Sequence, residues 1–277
     1  MFVDIDCFAL KKYNQNAFGD YFISKRKADE ERVLAVLSDG LGSGIKANIL
    51  ACMTATMLLR FTEEDVPLKK AAEIIMNALP VCKVRKISYA TFSGVDCDDE
   101  GNVRIVEEGN PDFIFLSGEN VKAVTGTQVA SASFPNRHMN VYQLNARLGD
   151  RLIFCSDGVT QAGLGRAEYP LGWTREGLMQ FVQQIVRQRP EISSTELARR
   201  IVLKAKSIEV DEQPMDDISA VVLYFRNPRE SLIFTGPPFR REKDHEYALT
   251  FDNFIGKKAI CGGTTANLIA RELGRSI

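Results

Sequence analysis

Aspartates at the mouths of apolar runs are the residues of this chain best suited to chemistry. Asp39 stands in Ser38-Asp39-Gly40-Leu41-Gly42-Ser43-Gly44, at the end of Val33-Leu34-Ala35-Val36-Leu37, and Asp157 follows Leu152-Ile153-Phe154-Cys155-Ser156 and precedes Gly158. Asp216 and Asp217 open Ile218-Ser219-Ala220-Val221-Val222. An unpaired carboxylate at a desolvated strand end is costly, so each needs a partner. Together they form a set of hard oxygen donors that suits Mg²⁺ or Mn²⁺. Asp20, after Gly19 and ahead of Tyr21-Phe22-Ile23, is a fourth candidate. Asp112 is left out, because Gly109-Asn110-Pro111 before it marks an ordinary turn. Taken singly, any of these acids reads as a turn residue.

The surrounding pattern says what must hold them. Residues 33–37 read as a buried strand, and Ile45, Ile49, Met53, Met57 and Phe61, widened by Ala47, Leu50 and Leu58, predict the buried face of a helix after the glycines. A second helix is expected with Asp65 as cap, Pro67 in its first turn, a face of Leu68, Ala71, Ile74, Ile75 and Leu79, and a stop at Pro80. From Ile87 to Val106 the pattern becomes a β-hairpin, with its turn at residues 98–102. Phe113–Leu116 and Val121–Val124 read as further strands, and Met139, Val141 and Tyr142 are expected to pair with Leu152–Phe154 across a turn at residues 147–150. Thr174 and Ser193 are helix caps, the latter in a capping box with Glu196. Strands that follow strands at short intervals predict antiparallel sheets and an α+β class.

At 277 residues, with 45% apolar and 26% charged residues, the chain has the composition of a globular protein able to bury a full core. A formal net charge of −1 offers no general attraction for nucleic acid or an anionic membrane, so neither is expected as partner. No apolar run approaches the ~20 residues that cross a bilayer, and a cytoplasmic location is expected. The cysteines show no Cys-x-x-Cys pairing, which speaks against zinc and a disulfide framework. Residues 1–227 read as one domain. Residues 228–277 read as a C-terminal extension, the start of a small β-loop-helix unit built on Lys258-Ala259-Ile260-Cys261 and Gly262-Gly263-Thr264-Thr265. Such a helix start can bind an anion, although a simple cap and turn weighs more.

Ser38–Gly44 with Lys46-Ala47-Asn48, Leu148-Gly149-Asp150 through Ser156-Asp157-Gly158, and Asp216-Asp217-Ile218-Ser219 together resemble the SpoIIE-like branch of the PPM family of metal-dependent Ser/Thr phosphatases. Gly19-Asp20-Tyr21 resembles that branch's early Gly-Asp motif. The resemblance covers about residues 1–227. It implies a four-layer α/β/β/α sandwich of two mainly antiparallel sheets, with two Mn²⁺ or Mg²⁺ ions in a cleft at one edge. It also implies that Asp39 bridges both ions, that the Gly40 carbonyl binds one, that Asp157 and Asp216 complete the other's shell, and that Asp20 lies near the first. Asp217 could exchange roles with Asp216. The implied reaction is attack of a metal-bridging hydroxide on phosphoserine or phosphothreonine of a regulatory protein, such as an anti-sigma-factor antagonist. Many PPM enzymes have a histidine where this chain has Leu41, and no match to the phosphate-gripping arginine of other branches is evident; Lys46 could grip the phosphate from the helix start, although an exposed, solvated lysine weighs more.

Three other readings compete, one of them a two-metal phosphohydrolase acting on a small phosphoester, separable by comparing phosphopeptides with nucleotides and sugar phosphates. Gly40–Gly44 fails as a Walker loop because Lys46 is followed by Ala47. A phosphatase-like module that senses or scaffolds with weak turnover remains the alternative, separable by metal-dependent hydrolysis of p-nitrophenyl phosphate.

Overall fold

The computed structural model describes residues 1–27, 31–42, 44–78, 90–132, 134 and 137–276. The expectations for Ser43, Leu79, Pro80, Ile87 and Tyr89 lie outside them. The chain divides into two compact units, Met1–Arg226 and Asn227–Ile277.

In the first unit the elements run β1 (Phe2–Leu10), β2 (Asp20–Lys27), β3 (Arg32–Gly40), α1 (Gly44–Glu63), α2 (Leu68–Ala78), β4 (Ala90–Cys97), β5 (Asn102–Glu108), β6 (Ile114–Ser117) and β7 (Asn120–Lys122). They continue with β8 (Thr127–Ala130), β9 (His138–Asn145), β10 (Arg151–Cys155), α3 (Asp157–Thr160), α4 (Thr174–Gln188), α5 (Ser194–Ile208) and β11 (Ile218–Arg226). One sheet has the order β1-β11-β10-β6-β7 and the other β2-β3-β4-β5-β9-β8, and every pairing within them is antiparallel.

Three apolar layers explain the architecture. Val33, Ala35 and Leu37 of β3 meet Val221, Leu223 and Phe225 of β11 between the sheets. Leu34 and Val36 turn the other way, onto Ala55, Leu58 and Leu59 of α1 and Ala71, Ala72 and Ile75 of α2. Ile218, Ala220 and Val222 pack under Leu178 and Val182 of α4 and Leu197, Ile201 and Val202 of α5. Both faces of β3 and β11 are therefore covered, which is why their sequences run apolar without alternation. The result is an α/β/β/α sandwich.

Three local expectations are corrected. On α1 the buried residues are Ala47, Ala51, Thr54, Ala55, Leu58, Leu59 and Thr62, while Ile45, Ile49 and Met53 are 71%, 51% and 50% exposed. The alanines let the helix lie close against β3, where larger side chains have no room. Asp65 does not cap α2. It has φ +60° and ends α1, with its N–H on Thr62 O at 3.2 Å and the Val66 N–H on Phe61 O at 3.0 Å, a Schellman closure in a left-handed position that Asp tolerates. Finally, β9 and β10 do not pair, since β9 lies between β5 and β8 and β10 between β11 and β6. Residues 147–150 form a corner between sheets, held by Arg147 N–H on Asp150 Oδ2 at 2.8 Å and Gly149 N–H on Phe225 O at 2.8 Å.

Other expectations match what is seen. The β4–β5 turn is tied by Asn102 N–H on Asp98 Oδ1 at 2.9 Å, the strand expected at 121–124 is β7, and Ser193 Oγ accepts from Glu196 N–H at 3.2 Å. The Thr174 hydroxyl accepts from Gly177 N–H at 3.3 Å.

The second unit contains β12 (Ser231–Phe234), α6 (Asp244–Asn253), β13 (Lys257–Ile260) and α7 (Gly263–Leu273). Its two strands are parallel, joined through α6, and Phe234, Ala248, Leu268 and Ile269 form its own small core.

Candidate active site

Each acid is held by a different strand end, and the antiparallel register brings them to one edge of the sandwich. Asp20 and Asp39 are direct partners across β2 and β3. Asp157 begins α3 as β10 ends, and Asp216 and Asp217 precede β11, the neighbour of β10. The serine before each Asp-Gly pair is fully buried and ties its strand end to the next strand. Ser38 Oγ donates to Thr91 O at 2.7 Å, and Ser156 Oγ donates to Asp217 O at 3.3 Å. Ser156 Oγ also accepts from Ser219 N–H at 3.0 Å.

The glycines that follow leave room for another backbone. A Cβ on Gly40 would lie 2.0 Å from Ala47 O, and one on Gly158 would lie 2.1 Å from Asp217 O. Neither position can hold a side chain without parting two elements of the site.

The tandem acids divide their roles. Asp217 is 3% exposed, and its two oxygens accept main-chain N–H groups, Oδ1 from Lys12 at 3.1 Å and Oδ2 from Gly19 at 2.8 Å. It clamps the end of β1 and the entry to β2. Asp216 is half-buried and accepts from Asp217 N–H through Oδ1 at 2.9 Å, which leaves its second oxygen free of that bond.

Asp39 and Asp157 are half-buried, and Asp20 lies beneath at 6% exposure. Burial, reinforced by the charges of Asp20, Asp157, Asp216 and Asp217, pushes Asp39 up to about 9. Burial pushes Asp20 up to about 7; the nearby Ser219 and Ser156 hydroxyls temper the rise, and the charges of Asp217 and Asp157 add to it. Neither Asp20 oxygen has a hydrogen-bond partner. Asp157 is raised by burial and by Asp216, while contact with the Asp39 carboxyl and the Gln161 amide, 3.0 Å from Asp157 Oδ2, pulls it down. Asp39 and Asp157, from different sheets, thus meet. Burial likewise raises Asp217.

The sequence-derived residues Asp20, Asp39, Asp157 and Asp216 are therefore brought together, with the Gly40 carbonyl at the same strand end. Among the described residues, no three His, Cys, Asp or Glu side chains are spaced to hold a metal ion as they stand. The donor set nonetheless fits a hard divalent cation in its chemistry, because it is all oxygen, charged, and includes two buried oxygens without partners. His138 is exposed and lies outside the cluster, as does Lys46 on the exposed side of α1; His245, also exposed, belongs to the second unit. Sequence reasoning missed the clamp role of Asp217 and the Ser156–Ser219 link; the repeated Ser-Asp-Gly was the signal for the second.

This architecture is that of the PP2C-type phosphatases. The RsbU and RsbW domains of Rv1364c from Mycobacterium tuberculosis align with a TM-score of 0.65 at 17% identity, covering 90% of this chain and 67% of that one. The phosphatase domain of SpoIIE from Bacillus subtilis aligns with a TM-score of 0.57 at 16% identity, covering 86% and 97%. RsbX, solved in complex with magnesium, gives 0.54 at 17%, covering 80% and 94%. No curated protein matches by sequence. The family profile of Stage II sporulation protein E (SpoIIE) matches residues 29–226. The chain belongs to the SpoIIE family, a branch of the PPM serine/threonine phosphatases.

Proposed function

We propose that this protein is a metal-dependent serine/threonine phosphatase that hydrolyses phosphoserine or phosphothreonine on a regulatory protein. The observation that carries this reading is the convergence of Asp20, Asp39, Asp157 and Asp216 with so little compensation that Asp39 is pushed to about 9 and Asp20 keeps two orphaned oxygens. Asp39, the Gly40 carbonyl, Asp157 and Asp216 would hold two Mn²⁺ or Mg²⁺ ions, with Asp20 beside the first. Bound there, the ions lower the pKa of water and neutralise charge on the phosphoryl oxygens.

The chain's own residues supply the frame. Ser38 and Ser156 hold the two Asp-Gly ends against neighbouring strands, and Asp217 locks the start of β2, so Asp20 faces Asp39 across a fixed pair. With Leu41 after Asp39-Gly40 and no histidine of the first unit in the cluster among the described residues, the leaving oxygen would take its proton from solvent. A regulatory phosphoprotein, of the kind represented by anti-sigma-factor antagonists, is supported by the fold shared with SpoIIE, a cell fate determinant, and with an RsbU domain. The absence of a preformed three-ligand group among the described residues favours, as second reading, a module of weak turnover. Mn²⁺-dependent hydrolysis of a phosphoserine peptide by the wild type, lost in Asp39→Asn, supports the phosphatase. Hydrolysis that persists in the variant, or none in the wild type at any Mn²⁺ concentration, rejects it.

A further inference from the structure

The two Ser-Asp-Gly ends are secured differently. Ser156 Oγ both donates and accepts across to the β11 segment, whereas Ser38 Oγ donates to Thr91 O and the tie continues through the Thr91 side chain. Thr91 is the partner of Asp39 across β3 and β4. Directly opposed residues project on the same face of a sheet with Cβ atoms about 4.5–5.5 Å apart, so the Thr91 hydroxyl stands within reach of the Asp39 carboxylate.

The hydroxyl is committed elsewhere. Thr91 Oγ1 donates to Asn110 Oδ1, Asn110 Nδ2 donates to Ser93 Oγ at 3.1 Å, and Ser93 Oγ donates to Glu107 Oε1 at 3.1 Å. Phe113 N–H reaches Glu107 Oε2 at 3.4 Å. A hydroxyl has one proton to give, so the Thr91 proton is used up on Asn110. Ser93 and Glu107 are each 3% exposed and stand in register beside Leu37 of the inter-sheet core, which fixes the far end of the chain. Asn110 belongs to the Gly109-Asn110-Pro111 turn after β5. Gly109 has φ +79°, and a Cβ there would lie 2.5 Å from Thr91 Cγ2, so the turn is seated on Thr91 as well as bonded to it. Released from Asn110, the Thr91 proton would have a better acceptor in Asp39, because hydrogen bonds to charged groups are roughly twice as strong as neutral ones. One Asp39 oxygen would then be lost to a cation.

We propose that Asn110, anchored by Ser93 and Glu107, is a positioning residue for the metal site: it takes the Thr91 hydroxyl proton and thereby keeps both Asp39 oxygens open to a divalent cation. The inference rests on the reading of Asp39 as a metal ligand, and it gives a part in the site to a turn that carries none of the clustered acids.

The test titrates Mn²⁺ calorimetrically, without substrate, into metal-free wild type, Asn110→Ala, Thr91→Val and the double variant, with melts in EDTA and turnover of a phosphoserine peptide measured alongside. Asn110 is half-buried, so its truncation leaves the core intact. Asn110→Ala is expected to weaken Mn²⁺ binding about tenfold or more, the value of one hydrogen bond to a charged group. Thr91→Val keeps the side-chain shape without a proton to give, and should bind Mn²⁺ within about twofold of the wild type. The double variant should return to that level even though the melting temperature lowered by Asn110→Ala stays low. Such a recovery is a coupling between the two residues that lost packing does not produce. An unchanged Mn²⁺ affinity in Asn110→Ala overturns the proposal, and so does a double variant as weak as Asn110→Ala, which makes Asn110 structural only. A wild type that binds Mn²⁺ without hydrolysing the peptide defeats the phosphatase reading alone, since the cycle reads binding, whereas one that binds no Mn²⁺ defeats both.

Discussion

Replacing Asp217 by Asn separates the clamp from the acids proposed to hold metal. The carboxylate accepts two main-chain N–H groups, from Gly19 at 2.8 Å and Lys12 at 3.1 Å, from a position 3% exposed. An amide offers one oxygen, so one N–H would face an NH₂ group instead. Losing one hydrogen bond to a charged acceptor costs about 1.5–3 kcal/mol. In a unit of 226 residues each kcal/mol shifts the melting temperature by about 2–4 °C, so the expected fall is about 3–12 °C. Removing a negative charge from a crowded acid cluster works the other way. Asp216→Asn is therefore the control, because it removes the same charge yet still accepts the Asp217 N–H. Thermal melts of both variants in EDTA give the clamp term as their difference. Adding Mg²⁺ should then raise the melting temperature of Asp217→Asn clearly and that of Asp216→Asn little. If the two melt alike in EDTA, or Asp216→Asn melts lower, the division of roles between the tandem acids is wrong.

Further outcomes follow from the same geometry. Asp39 and Asp20 have folded-state pKa values raised to about 9 and about 7, so their contribution to stability is fully present below about pH 4 and is lost as pH rises through those values. In EDTA the melting temperature should fall between pH 5 and pH 9, with Mg²⁺ opposing the fall; a flat or rising profile contradicts the site's electrostatics. Glu108→Ala leaves the Arg137 guanidinium buried without the carboxylate that meets it at 2.5 and 2.7 Å, and denaturant titration should show a loss of about 3–5 kcal/mol. On α1, Ile49→Ser at a half-exposed position should change stability by no more than about 0.5 kcal/mol, whereas Leu58→Ala at a fully buried one should cost about 2–5 kcal/mol. Equal effects at the two positions would mean that the helix buries its other face.

Much of the site was readable before any coordinates because its signals are local. An apolar run ending in Ser-Asp-Gly marks a strand end wherever it occurs, and Ser193 with Glu196 marks a helix start, since the groups that bond lie within one turn of chain. The errors share a cause. Apolar residues spaced by four on α1 describe two faces equally well, and only the close approach of Ala47 to Gly40 decides that the alanine face is the buried one. Strands β9 and β10 are neighbours in sequence, yet the corner held by Phe225 sends them to different sheets.

By itself the sequence determined which acids terminate strands, that the sheets are antiparallel, and through its motifs the family to which the chain belongs. Tertiary structure alone decided which of Asp216 and Asp217 is clamped by main-chain donors and which is left half-buried beside the other carboxylates. Those answers rest on hydrogen bonds between residues 205 and 198 positions apart, and adjacent, chemically identical side chains become different only when distant backbone donors meet one of them.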